Sequence, residues 1–188
     1  MNVTLRTPKM TRDEFLDWVE RQEVPYEFDG FEPIAMNGSS VNHGRICQNL
    51  WYALRSRLLG TRCEVLGPNL GVNTIGNAVR YPDALVHCEP LSGLERLAAG
   101  VVVLFEVVSP TSVRNDHVTK LREYGVMPTV RRYVVLEDSA AEVTAFARAA
   151  ADDAWTAAVL VAGQTLVLPE IDIEISVDEL YEGVTLQP

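Results

Sequence analysis

Val101-Val102-Val103-Leu104-Phe105-Glu106-Val107-Val108-Ser109-Pro110 is apolar on both sides of one carboxylate. That pattern predicts a strand covered on both faces, ended where Pro110 cannot continue a ladder. A carboxylate there is costly to bury unless a cation pairs with it or binds to it. The preceding strand, Arg80-Tyr81-Pro82-Asp83-Ala84-Leu85-Val86, carries a second acid. Taken alone, Asp83 is better read as a turn or edge aspartate capping local backbone. Glu106, between Phe105 and Val107, is either a partner of a buried base or a ligand. Together the two acids suit a hard divalent cation, since Mg2+ is held by one or two carboxylates plus waters and substrate phosphate.

Outward from this pair, the 188-residue chain predicts one domain spanning 1–188, with 1–9 as a loose leader. Hydrophobic residues make up 47% of it, which argues against disorder. No apolar run reaches the roughly 18 residues of a membrane span, and Met1 to Arg6 is not a signal peptide, so a cytoplasmic protein is expected. Cys47, Cys63 and Cys88 lack metal-knuckle spacing and read as reduced, mostly buried thiols. The net charge of -10 comes wholly from residues 137–188, which hold eleven acids and one base. The first 136 residues are neutral, which does not support tight non-specific DNA binding.

Thr11-Arg12-Asp13-Glu14 has the form of a capping box opening a first helix. Tyr26 to Asp29 and Phe31 to Met36 predict a hairpin turning at Asp29-Gly30. A long helix is expected from His43 to Leu59, stopped by Gly60. Strands are expected at 62–66, 70–74, 79–87, 101–108 and 131–137, with a helix at 114–124. Three further strands, 142–147, 155–161 and 165–168, predict an antiparallel C-terminal meander, followed by a short helix at 177–181. The order predicts an α/β fold: a mixed central sheet flanked by helices.

Lys120 is informative by scarcity: the chain has 14 arginines and two lysines, the other being Lys9. A compact ammonium can orient a water where a planar guanidinium cannot. The alternative is an Asp116–Lys120 surface pair at i,i+4 spacing. Tyr124 stands one turn further on the same helical face. Glu27 lies in the hairpin, and His43 opens the long helix, where an imidazole or the helix dipole can meet a phosphate. Each also has a plain reading as an exposed strand or helix-end residue. His87 and His117 have no partner at ligand spacing. No Walker loop, dinucleotide fingerprint, zincin motif or nucleophile elbow is present.

The set Tyr26-Glu27-x-x-Gly30, Met36, Ser39, His43-Gly44, Pro82-Asp83, Glu106 to Pro110 and Asp116-x-x-x-Lys120-x-x-x-Tyr124 resembles the Uma-two family. This is a group of restriction endonucleases in the PD-(D/E)XK nuclease superfamily. The resemblance runs from about Phe15 to Asp138. It implies a restriction-endonuclease-like core with a metal, Mg2+ or Mn2+, between Asp83 and Glu106. The superfamily lysine would stand two residues after the glutamate, where this chain has Val108. Lys120 on the following helix is then its substitute, Glu27 an added acid and His43 an accessory group. A backbone carbonyl near Val107 would complete the metal shell.

The expected activity is metal-dependent cleavage of DNA, with a homodimer formed along an exposed edge of the meander. A non-catalytic protein- or nucleic-acid-binding module on the same fold is the alternative. A metal-dependent hydrolase of a small phosphorylated substrate is a third, weaker one.

Overall fold

The first helix is fixed by its cap. The Thr11 side chain accepts from the Glu14 amide while the Glu14 carboxylate accepts from the Thr11 amide, and α1 (Arg12–Val19) follows. The computed structural model describes residues 9–36, 38–109 and 114–186, with the backbone alone at 114–117. The expected leader before Lys9, the break at 110–112, and the side chains of Asp116 and His117 lie outside what is described.

Helix α1 stacks Phe15 on Phe28 of β1 (Tyr26–Phe28), ring centroids 5.0 Å apart. Strand β1 pairs with β2 (Pro33–Ala35) as the expected hairpin. Asp29 Oδ1 accepts from the amides of Phe31 and Glu32 at 2.8 and 2.7 Å, which sets the turn. Gly30 has φ +88°, and a Cβ there would meet the Gly76 carbonyl at 2.6 Å, so only glycine fits. Ser40 caps α2 (Val41–Leu58) by accepting from the His43 amide. Helix α2 buries Ile46, Leu50, Ala53 and Leu54 completely. Each large side chain of that stripe contributes about 1.5–3 kcal/mol of burial.

Next come β3 (Glu64–Leu66), β4 (Val72–Asn73), a short 3-10 turn, β5 (Val79–Arg80), β6 (Ala84–His87) and β7 (Val101–Val108). After β7 run α3 (Arg114–Gly125), β8 (Arg132–Glu137), β9 (Glu142–Ala147) and β10 (Thr156–Val161). The chain closes with β11 (Thr165–Leu168), β12 (Ile173–Ser176) and α4 (Val177–Leu180). A six-stranded sheet has the order β10-β9-β8-β7-β6-β3, beside a four-stranded sheet β2-β1-β5-β4. In the large sheet only β7 and β8 are parallel, with α3 as their crossover. This is the expected mixed α/β sheet with helices.

Two expected elements divide differently. The single strand expected at 79–87 is two strands in two sheets, because Pro82 lacks the amide a ladder needs and the chain changes sheet there. The expected meander holds for β9 and β10, but Thr165–Leu168 leaves it to pair with β12. That pair is apolar on one face only: Leu166, Leu168, Ile173 and Ile175 join the core against α2 and α4.

Strand β7 is buried on both faces, as its sequence predicts. Val103, Phe105 and Val107 face the α2 side, while Leu104 and Val108 pack with Tyr124, Tyr133 and Val135. Cys63 and Cys88 are joined by a disulfide, which corrects the expectation of three reduced thiols. Glu64 pairs with His87, so the two cysteines face each other one rung beyond. Cys47 is free.

Candidate active site

Asp83 occupies the gap where the chain passes from one sheet to the other. Beyond Ala84, which pairs with Phe105, β6 no longer supplies partners to β7. The Asp83 side chain fills that role: its Oδ2 accepts from the Val107 amide at 2.7 Å. The N–H and C=O of one strand residue project to the same edge, so the Val107 carbonyl faces the same gap. The next carbonyl, Val108, accepts from Asp138 on the β8 side, as the alternation requires. Trp51 Nε1 donates to the Asp83 main-chain carbonyl at 2.9 Å and holds the corner.

On the other side of Asp83, Oδ1 lies 3.1 Å from His43 Nε2 in the first turn of α2. His43 also meets the thiol of Cys47, one turn on. The Asp83 carboxylate, then the thiol, push the imidazole up to about 10 against the opposing pull of burial. His43 is therefore a cation at neutral pH, while burial raises the Cys47 thiol.

Glu106 is 6% exposed. Its Oε1 accepts from the Tyr124 hydroxyl at 2.7 Å and from Lys120 Nζ at 3.1 Å. Lys120 and Tyr124 are one turn apart on α3, so one helical face supplies both donors. Burial above all, opposed by Lys120 and Tyr124 and helped by the nearby Asp83 and Glu27, pushes the Glu106 carboxyl up to about 7. Lys120 is 7% exposed and also lies 3.3 Å from Glu27 Oε1. The structure thus brings Glu27 and Glu106 together around Lys120, and Asp83 and His43 together one step away.

A further ring of charge backs Glu27. Arg80 Nη1 reaches Glu27 Oε2 at 3.2 Å, and the Arg80 guanidinium grips both oxygens of Glu123 at 2.7 Å. Thr74 also donates to Glu123. Sequence reasoning missed Arg80, Glu123 and Cys47. Cys47 stands four residues after His43, a ligand-like spacing that was there to be read; Arg80 is hidden among fourteen arginines. His87 sits away from this cluster, beside the disulfide and Glu64.

At its His43–Asp83 end the cluster meets a groove of about 610 Å³, lined also by Tyr26, Met36, Ser39 and Tyr81. Arg96 on its wall is tied to Asp17 and Glu20 at 2.8 and 3.1 Å. Four carboxylates (Glu27, Asp83, Glu106, Glu123) meet Lys120, Arg80 and His43, so the acids outnumber the cations even with His43 charged. Among the described residues, His43, Cys47 and Asp83 also bring three ligand atoms within 4.8 Å of one another.

The model of the Uma2 family, described as "Putative restriction endonuclease", matches residues 12–178. An uncharacterized protein of Synechocystis sp. is 28% identical over 180 residues, 94% of either chain. The crystal structure of "a putative nuclease belonging to DUF820" from Anabaena variabilis superimposes with a TM-score of 0.72. That match covers 94% of this chain and 99% of the other at 16% identity, so it speaks for the fold alone.

Proposed function

The chain belongs to the Uma2 family of "putative restriction endonucleases", and from that premise we propose that it is a Mg2+- or Mn2+-dependent endonuclease acting on DNA. The observation that carries the reading is Lys120 Nζ held between Glu106 and Glu27, beside Asp83 at the end of an interrupted strand pair.

The donor set fits a hard cation. Lys120 and Tyr124 both occupy Oε1 of Glu106, and among the described residues Oε2 accepts no hydrogen bond. Glu106, Asp83 and the Val107 carbonyl are oxygen donors, the kind Mg2+ and Mn2+ prefer. A cation held by them supplies Lewis acidity to the scissile phosphate and acidity to a bound water.

The chain's own groups do the rest. Lys120 keeps its ammonium fixed by two carboxylates, so it can orient a water and meet the charge developing on the phosphorane without reorganising. Glu27, tied to Arg80, holds that ammonium in place from its other side at 3.3 Å. His43, at the N-terminus of α2 and on the groove wall, can contact a phosphate oxygen. Tyr124 holds Glu106 in one rotamer.

Cleavage of both strands would bring two copies together; β10, an edge strand without a charged residue, is the proposed meeting place for a homodimer. Among the described residues no helix is long and apolar enough to cross a membrane. We place the enzyme in the cytoplasm, with its DNA.

The test is cleavage of supercoiled plasmid and of a single-stranded oligonucleotide with Mg2+ or Mn2+, comparing the wild type with Asp83→Asn, Glu106→Gln and Lys120→Ala. Metal-dependent cleavage lost in all three supports the assignment. Calorimetric titration showing no Mn2+ binding by the wild type would favour the non-catalytic module.

A further inference from the structure

We propose that His43, Cys47 and Asp83 form a second metal site, selective for a thiophilic divalent ion of the Zn2+ class, and that its occupation antagonises the hard-metal site by taking Asp83. The first half stands on its own geometry. The second half rests on the nuclease reading.

His43 and Cys47 are four residues apart on α2, so both side chains project from one helical face. Asp83 completes the set from the sheet switch, its Oδ1 3.1 Å from His43 Nε2. All three ligand atoms lie within 4.8 Å of one another. Zn–N and Zn–S bonds of about 2.0 and 2.3 Å at a tetrahedral centre put ligand atoms roughly 3.3–3.7 Å apart. Closing the cluster therefore needs the ligand atoms to approach by about an ångström.

The supporting shell is already built. Ser40 caps the α2 turn that carries His43 and donates to Asp138 at 2.7 Å. The Val107 amide orients Asp83 through its other oxygen, and Trp51 fixes the Asp83 main chain. Bonds of this sort hold ligands at metal sites in one orientation.

Donor chemistry separates this site from its neighbour. A thiolate and an imidazole suit Zn2+ or Co2+ and not Mg2+. Three protein ligands leave a fourth position, and His43 and Asp83 line the groove through which water reaches it. Only Asp83 belongs to both sets. An ion bound through Oδ1 to His43 and Cys47 draws the carboxylate toward α2 and away from Glu106.

Co2+ is the probe, used with the Cys63–Cys88 disulfide intact. Wild-type protein titrated with Co2+ should show a thiolate-to-metal charge-transfer band and the visible bands of a tetrahedral ion. Both should disappear in Cys47→Ser and in His43→Ala, with circular dichroism confirming that each variant is folded. Competition against a chromogenic chelator should show Zn2+ affinity falling at least about tenfold in Cys47→Ser. In Mn2+-dependent cleavage, the Zn2+ concentration that halves the rate should rise at least about tenfold in the same variant.

A Co2+ spectrum without the sulfur band, or one unchanged by Cys47→Ser, overturns the site. Cleavage indifferent to Zn2+ under conditions where Co2+ and Zn2+ demonstrably bind overturns the antagonism. If no metal supports cleavage in any variant, the nuclease reading and the antagonism fail together, while the cobalt spectrum still decides the site.

Discussion

Lys120 Nζ lies 3.1 Å from Glu106 Oε1, although it stands fourteen positions further along the chain, on the crossover helix. The position two residues after Glu106 is Val108, whose side chain packs with Tyr124 and Tyr133 on that same face. A lysine carried by α3 reaches the carboxylate from above the sheet, where one on the strand would rise from within it.

Removing that lysine should cost both activity and stability. Lys120→Ala strands two buried carboxylates, and loss of one partner from a buried pair costs about 3 kcal/mol or more. Cleavage should vanish, and the denaturation midpoint at pH 8 should fall. The loss should shrink near pH 6, where Glu106 can take a proton. Lys120→Arg should leave cleavage abolished, since a planar fork does not replace a point charge. A Lys120→Ala protein as stable as wild type at pH 8 contradicts the pairing.

Glu106 makes the metal-free protein lose stability as pH rises. Its carboxyl is raised to about 7 in the fold, against 4.5 for the free group. The folded state therefore binds the proton more tightly. Its contribution is fully present below about pH 4.5 and lost as pH climbs through 7. At roughly 1.4 kcal/mol per unit, the loss is on the order of 3 kcal/mol. Glu106→Gln, measured by urea denaturation in chelator, should flatten this slope and match or exceed the wild type at pH 8.

His43 acts in a higher window. Its imidazole is raised from 6.5 to about 10, chiefly by Asp83. The stability it gives is full below about pH 6.5 and declines as pH rises toward 10. Nuclear magnetic resonance titration of the metal-free protein should find the His43 ring still charged at pH 8. In Asp83→Asn that titration should move down toward the ordinary histidine range; an unmoved midpoint would mean that Asp83 is not its cause.

Mn2+ should raise the melting temperature of the wild type by mass action. At a hundredfold excess over the dissociation constant, the gain is about 2.7 kcal/mol. The increment should be much smaller in Asp83→Asn and Glu106→Gln, read by thermal melts with and without the ion. Equal increments in all three proteins would place the ion elsewhere.

Much of this arrangement was legible from residue types. Glu106 stood out because an acid inside an unbroken apolar strand needs a partner, and Lys120 because lysine is rare here. The change of sheet at Pro82 was hidden: apolar residues stand on both sides of it, Val79 before and Ala84 to Val86 after, and hydrophobic runs do not say which sheet receives them. The Cys63–Cys88 bond depends on the register of β3 against β6, which exists only after pairing. Arg80 and Glu123 look like ordinary surface residues in the sequence; burial alone makes them partners. The β11–β12 pair escaped because its second strand follows Asp172, a left-handed turn residue at φ +56° that reads as loop.

The crossing at Pro82 also has a mechanical meaning. Glu27 and Arg80 belong to the four-stranded sheet, Glu106 to the six-stranded one, and Asp83 to the three-residue link between them. The two sheets share no ladder, so the charged cluster is a clasp holding them at their common border. Whatever tightens the clasp must be felt along both sheets. Amide exchange at Phe28 and Val79, a paired rung outside the groove, should therefore slow when the site is filled, with no ligand touching either residue.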